Sequence, residues 1–425
     1  MECGCSSSGL MPIENAQALI TELIREFLAK PAIKNKLSER VLLTDAVDRV
    51  LSEDVVSPLN VPAYDNSAMD GYAIRSADLS KHKMLKQIGK SFAGLPFEGK
   101  VGEAQCVRIM TGAQIPKGAD AVVMQENALV HRDEHDEIKG IEITKCSGKG
   151  EAIRPAGDDI QQGATVLAKG TRITPVGLGV LASLGLKHVN VFPKLKVAVF
   201  STGDELLSLG SPLESGKIYD SNRPMLVAML KRLGVEVLDL GLIKDSKDAI
   251  TEAFLYADTH ADCVITSGGV SVGEADYTRE VLDEMGKIDF WKLAIKPGKP
   301  LAFGRLANSL FFGLPGNPVS AAVTFDQIAV PALKALSGEH TVEPARFVAL
   351  AGQNFKKRPG RTDYQRGHFT RNENNQLVVT SARSQSSGVL SSFCTSNCYI
   401  VLEQERASVN KGEPVTILPF EKPLL

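Results

Sequence analysis

A chain of 425 residues is long enough for about three domains of ordinary size. Hydrophobic residues at 43% and charged residues at 23% suit a globular protein, and a net charge of −2 with a pI near 6.4 gives no electrostatic case for nucleic acid or an anionic membrane. No uninterrupted apolar run approaches the ~20 residues that span a bilayer. The start "MECGCSSSGLMP" lacks the basic and apolar regions of a secretory signal, and seven cysteines without zinc-site spacing fit a reduced, cytoplasmic setting.

In chain order, Pro12–Ala29 carries apolar residues at helical spacing, Ala16, Leu19, Ile20, Leu23, Ile24 and Phe27. From Leu43 to about Arg172 the pattern becomes short β-rich segments broken by glycine and proline, such as "CVRIMTG", "DAVVMQE" and "IEITK". Thr174 caps a predicted helix with Pro175 at its first position, running to Gly185. Lys194–Leu336 then alternates strand and helix: "KVAVFS", "NRPMLVAMLKRLG", "VEVLDLG", "DAITEAFLYADTH", "DCVIT", a helix after Tyr277, the strands "FWKLAI" and "SLFFGL", and a closing helix "PVSAAVTFDQIAVPAL" capped by Asn317. That rhythm implies a mostly parallel, doubly wound α/β sheet. The last ~85 residues return to short alternating strands, as in a small β-sandwich or barrel.

Four unusual stretches follow predicted strands: "STGDE", "TSGGVSVGEADY", "KPGKP" and "GLPGNP". Ligands of open α/β sheets sit outside the carboxyl ends of the strands, so all four are expected on one rim. Ser267, Gly268 and Gly269 let backbone N–H groups approach an anion, and Lys292, Lys296 and Lys299 add positive charge. The carboxylates Glu205, Glu274 and Asp276 contradict an anion pocket unless a divalent cation sits between carboxylate and phosphate, as Mg²⁺ does. Bland alternatives exist: Asp276 as the cap of the helix after Tyr277, Asn317 with Pro318 as an ordinary helix start, and Lys292 as a solvated lysine.

A second constellation lies in "PAYDNSAMDGYAI", "RIMTGAQIPKGADAVVMQE" and "IRPAGDDI". Residue chemistry alone reads Asp65 and Asp70 as turn formers, and Asp158 and Asp159 beside Arg154 as an exposed ion-pair cluster.

The ordered set "DNSAMDGYA", "RIMTGA", "FSTGDEL", "IYDSNRPML", "TSGGVSVGEADYT", "LAIKPGKPLAFG" and "GLPGNPVSA" resembles the MoeA-type molybdopterin molybdenumtransferases, a family that includes the E domain of gephyrin. The likeness runs from about Pro12 to the C-terminus, and the tail Met1–Met11, expected to be disordered, lies outside it. It implies a linking domain of residues 12–45 and 145–178, a β-rich lobe of 46–144, an α/β domain of 179–336 like that of molybdopterin adenylyltransferase, and a C-terminal β-barrel of 337–425. It further implies a homodimer that takes adenylylated molybdopterin from a separate adenylyltransferase, inserts molybdate with Mg²⁺, and releases AMP and molybdenum cofactor.

Carried over to this chain, the resemblance assigns Glu205 and Asp276 to the metal, and makes Asp70, Asp159, Asp245, Lys292 and Lys296 catalytic with them. It assigns Thr111, Arg154, Pro315, Pro318, Arg366 and Ser387 to substrate binding. The turn-former and ion-pair readings of Asp70 and Asp159 are reversed by that likeness. Two rival classes stay open: a nucleotide phosphohydrolase using only the α/β domain, and a scaffold that keeps the fold for partner binding.

Overall fold

The computed structural model of the chain describes residues 9–29, 38–269, 277–340 and 342–420. The cysteines of the N-terminal tail, Glu274 and Asp276 lie outside the described residues. The chain divides into two units, one of Met1–Arg40, Asp48–Ser52 and Asn190–Leu425, the other of Val41–Val47 and Glu53–Val189.

In the first unit, strands β1 (Lys196–Thr202), β2 (Glu236–Ile243), β3 (Cys263–Ser267), β4 (Lys287–Lys292), β5 (Pro300–Arg305) and β6 (Leu310–Leu314) form a sheet of order β2-β1-β3-β6-β5-β4. The first four in that order run parallel, and β5 is antiparallel to both β6 and β4. The strands alternate with helices α1 (Asn222–Arg232), α2 (Lys247–His260), α3 (Tyr277–Met285) and α4 (Pro318–Leu336).

Strand side chains alternate between faces, and here both faces are buried. Val197, Val199, Cys263, Ile265 and Phe312 join one core cluster with α1, α4 and the N-terminal helix Ile13–Leu28. Ala198, Phe200, Val264 and Phe311 join the other with α2 and α3. Double burial is why these strands read as unbroken apolar runs. The helix α4 is long and apolar enough to cross a membrane, but 72% of its apolar window is buried inside the protein. It holds a π-helical turn, Phe325–Ala329, just before Pro331, which has no N–H to give and whose ring crowds the preceding turn.

Two expectations need correction. "FWKLAI" is not one strand: β4 ends at Lys292, and Ile295–Lys296 leaves the sheet to pair with Thr362–Asp363. Asn317 occupies the cap position of α4, but its side chain makes no capping hydrogen bond. Thr174 does cap, its hydroxyl accepting from the Gly177 N–H at 3.0 Å, and that helix ends at Ser183.

The C-terminal strands β7 (Phe347–Ala351), β8 (Thr362–Arg371), β9 (Leu377–Ser381), β10 (Cys398–Leu402) and β11 (Pro414–Pro419) run in the order β8-β9-β7-β11-β10. Pairing of β10 back to β8 closes the barrel.

The second unit is built on a six-stranded sheet in which Gly71–Ile74 lies between Ala121–Met124 and Gln105–Ile109. Its alternation also buries both faces: Tyr72, Ile74, Cys106 and Val123 on one side, Ala73, Val107 and Val122 on the other.

Phe254 stands at the centre of the α2 face, edge-on to Phe200 at 5.2 Å and to Phe311 at 5.3 Å. Replacing it by alanine is expected to destabilise the α/β domain by about 3–5 kcal/mol, seen as an earlier urea unfolding midpoint.

Candidate functional site

The sheet register decides which loops meet. Thr202 pairs with Ile243, Ser201 with Ser267, and Ser267 with Leu314, so the loops after β1, β2, β3 and β6 open on one edge. Because β5 runs the other way, its start at Pro300 lies on that same edge, opposite Lys292 at the end of β4. The four stretches singled out in the sequence therefore share one rim, "TSGGVSVGEADY" through its described start Thr266–Gly269. "KPGKP" reaches it as the approach to β5 rather than as the exit from a strand of this sheet.

Glycine allows the central loops to touch. The Gly268 N–H donates to the Leu314 carbonyl at 3.2 Å, and a Cβ there would stand 2.5 Å from the Thr202 carbonyl oxygen. Gly268 and Gly269 both have positive φ, +89° and +65°, which other residues rarely adopt. Asn222, at the start of α1 and 8% exposed, ties the two loops together: its amide donates to the Ser267 hydroxyl and to the Gly316 carbonyl, each at 2.8 Å. Since the carbonyl can only accept, the amide orientation is fixed, and the Ser267 O–H is left to donate elsewhere. In the sequence Asn222 stands out only as the start of "NRPMLVAMLKRLG" and within "IYDSNRPML"; nothing local distinguishes it from an ordinary helix start.

One end of the rim is acidic. Glu205 is exposed at the exit of β1, its carboxylate folded back over Gly203. Asp245, after β2, accepts from the Thr202 hydroxyl at 3.4 Å. Burial raises its pKa above the usual aspartate value, and the negative charges of Asp204 and Glu205 raise it further. Asp204 is thus a third carboxylate that the sequence reading passed over inside "STGDE". Mutual repulsion of this kind is what a bound hard cation relieves. Among the described residues no set of three or more His, Cys, Asp or Glu is grouped so as to hold a metal ion.

The other end is basic. Lys292 lies at the edge of the sheet, and Lys299 is exposed beside the start of β5. Five strand spacings separate β2 from β4, so the acidic and basic ends stand roughly 24 Å apart. Between them, Pro315 is buried and Pro318 opens α4, where the Val319 N–H donates to the Ser387 carbonyl at 3.0 Å. Next to that segment, Arg366 of β8 is 1% exposed. Its Nε donates to the Ser392 hydroxyl at 3.1 Å and its Nη2 to the Ser386 carbonyl at 3.1 Å. Burial lowers its pKa, and among the described residues it has no carboxylate in ion-pair contact. The Asp363 charge partly offsets that burial without touching the guanidinium, and a buried guanidinium with no carboxylate in contact suits an oxyanion. Lys296 behaves differently, its ammonium lying 3.0 Å from the buried Asp363 carboxylate.

In the second unit the three motif stretches also converge. The Thr111 N–H and hydroxyl donate to Asp70 Oδ1 at 2.7 and 2.8 Å. Arg154 pairs with Asn66, Asn66 bridges to Gln114, and the Asp159 N–H donates to the Val61 carbonyl at 3.0 Å. Asp65 is not a local turn former: its carboxylate accepts from the Ala156 N–H at 2.8 Å, joining distant segments. Among the described residues Arg154 forms no ion pair with Asp158 or Asp159, so the exposed ion-pair reading of that cluster is also withdrawn.

Family models match along most of the chain: the MoeA N-terminal region (domain I and II) over residues 11–185, a probable molybdopterin binding domain over 198–335, and the MoeA C-terminal region (domain IV) over 348–420. A molybdopterin molybdenumtransferase of Haemophilus influenzae is 50% identical over 384 residues, 90% of this chain and 94% of the relative. The chain belongs to the MoeA family. A second molybdopterin molybdenumtransferase, from Staphylococcus aureus, is 34% identical over 97% of this chain and 96% of its own. A crystal structure of the molybdopterin biosynthesis MoeA protein of Pyrococcus horikoshii superposes with a TM-score of 0.78 at 29% identity, covering 97% of this chain and 100% of that one. Membership in the MoeA family makes the protein a transferase of molybdenum cofactor biosynthesis.

The two Thr111 donors hold the Asp70 carboxyl below its usual pKa, the backbone N–H contributing most. That stabilisation is present above the ordinary aspartate pKa and is lost as pH falls through the lowered one. Thr111→Val removes the hydroxyl and keeps the N–H, so the Asp70 pKa followed by carboxyl ¹³C NMR is expected to rise part-way towards the ordinary value.

Proposed function

We propose that the chain takes adenylylated molybdopterin and molybdate, cleaves the phosphoanhydride, and releases AMP and molybdenum cofactor. The observation that carries this reading is the order along the rim: carboxylates at one end, close-packed glycine loops in the middle, and a buried Arg366 with no carboxylate in contact towards the lysines. Such an order suits a ligand with a phosphoanhydride in its middle and an oxyanion to be received beside it.

In this mechanism, the Gly269 N–H and the Ser267 hydroxyl hold phosphate oxygens before charge develops on them, while the Gly268 N–H, engaged by the Leu314 carbonyl, fixes the loop. Arg366, Lys292 and Lys296 receive molybdate, with Ser387 and the Pro315–Pro318 segment shaping that pocket. Glu205, with Asp245 beside it and Asp276 from the segment outside the described residues, would hold Mg²⁺, which when bound polarises the anhydride and stabilises charge on the leaving AMP. From the second unit, we assign Asp70 and Asp159 to proton transfer, and Arg154 and Thr111 to substrate binding, on the likeness of their motifs to those of the family. The pterin dithiolene supplies the sulfur ligands; Cys263 is fully buried, its thiol pKa raised beyond the working range, and takes no part. We further propose Mg²⁺ dependence, a homodimer, a cytoplasmic setting in keeping with the free thiols of Cys106, Cys146, Cys263, Cys394 and Cys398, and an upstream molybdopterin adenylyltransferase as supplier.

Purified protein incubated with adenylylated molybdopterin and Mg²⁺ is expected to release AMP in step with active cofactor only when molybdate is added. AMP release without cofactor supports the phosphohydrolase reading, and neither product supports a scaffold. Glu205→Gln is expected to lower AMP release about a hundredfold.

A further inference from the structure

Lys292, Lys296 and Lys299 differ in how they are held. Among the described residues Lys292 and Lys299 have no ion-pair partner, whereas Lys296 is anchored. The two-residue strand Ile295–Lys296 pairs parallel to β8, with Lys296 opposite Asp363. The Asp363 carboxylate is buried, 3% exposed, and accepts from Lys296 Nζ at 3.0 Å and from Gln365 Nε2 at 3.1 Å on the same oxygen. The Gln365 amide also donates to the Lys356 carbonyl at 3.1 Å, which fixes the carboxylate from behind.

Alternation along β8 sets the direction. Asp363 and Gln365 pair with Leu402 and Ile400 of the barrel core, while Tyr364 sits with Tyr399 and Val401 in the cluster shared with the α/β sheet. Arg366 falls in the Tyr364 set, so the two cations are anchored by different groups: Lys296 by Asp363, Arg366 by Ser386 and Ser392. The Lys296 side chain remains 46% exposed. One of its three N–H donors is engaged and the others stay available to a ligand.

We propose that Asp363 is a positioning residue which, held by Gln365, fixes the Lys296 ammonium as a pre-oriented oxyanion donor of the rim. This rests on the reading above that Lys296 serves catalysis. An unanchored lysine must give up rotamer freedom when it binds, and one already tethered gives up less. Pre-orientation of this kind acts on the reacting complex, so it belongs to kcat more than to KM.

The test is a double-mutant cycle on cofactor formation with Asp363→Asn, Lys296→Gln and the pair. Asparagine keeps the shape and an acceptor but removes the charge, so Asp363→Asn is expected to lower kcat about tenfold with KM changed less than twofold. In the Lys296→Gln background the same change is expected to cost less than twofold. An equal loss in both backgrounds, or full activity of Asp363→Asn, overturns the proposal. Full activity of Lys296→Gln instead overturns the role given to Lys296, and the proposal with it. The buried Lys357 ammonium and the Arg366 guanidinium also feel the Asp363 charge, and a loss that runs through either persists in the Lys296→Gln background. If Asp363→Asn fails to fold, Gln365→Met, which keeps the carboxylate and removes its rear support, replaces it in the cycle. It is expected to lower kcat about threefold, an effect again absent beside Lys296→Gln; a loss undiminished there overturns the proposal.

Discussion

Parallel pairing of β1, β3 and β6 is the constraint on which the site depends. It brings three strand exits side by side, at a spacing of about 4.8 Å per strand, and leaves no room for side chains between the loops. Gly268 meets that constraint against the Thr202 carbonyl, and Asn222 then locks the loops after β3 and β6 with two hydrogen bonds. The glycine backbone at the rim is thus held by the sheet itself, with the Gly268 N–H engaged by the Leu314 carbonyl.

Charge is distributed along this edge rather than mixed. Asp204, Glu205 and Asp245 gather at one end, where burial first and the neighbouring negative charges second raise the Asp245 pKa. Arg366 carries the opposite imbalance, a buried cation served only by hydroxyl and carbonyl oxygens. Each end is incomplete without a ligand of opposite sign. In the reaction we propose, a metal-bridged phosphate answers the first and an oxyanion the second.

Much of this was legible in the sequence, for identifiable reasons. Strands buried on two faces appear as apolar runs, and glycines forced into positive φ mark where backbones touch, so "KVAVFS", "DCVIT" and "SGG" gave the sheet and its rim. What escaped was set by distant partners. β5 was missed because "PLAFG" follows "KPGKP" directly, with no turn signal between loop and strand. The division of "FWKLAI" between sheet and barrel depends on pairing with Thr362–Asp363, far along the chain. Asp363 and Asn222 were invisible as site residues for the same reason: their meaning lies in register, not in neighbours. The likeness to the MoeA family, not residue chemistry, singled out Asp70 and Asp159, since an exposed aspartate looks the same in a turn or a catalytic cleft.

The most direct measurement is a crystal structure with adenylylated molybdopterin and Mn²⁺ in place of Mg²⁺, read by anomalous scattering. The account requires the manganese peak beside Glu205 and Asp245, with phosphate oxygens over Gly268 and Gly269. A metal peak at the lysine end, or phosphates bound away from the glycine loops, contradicts it.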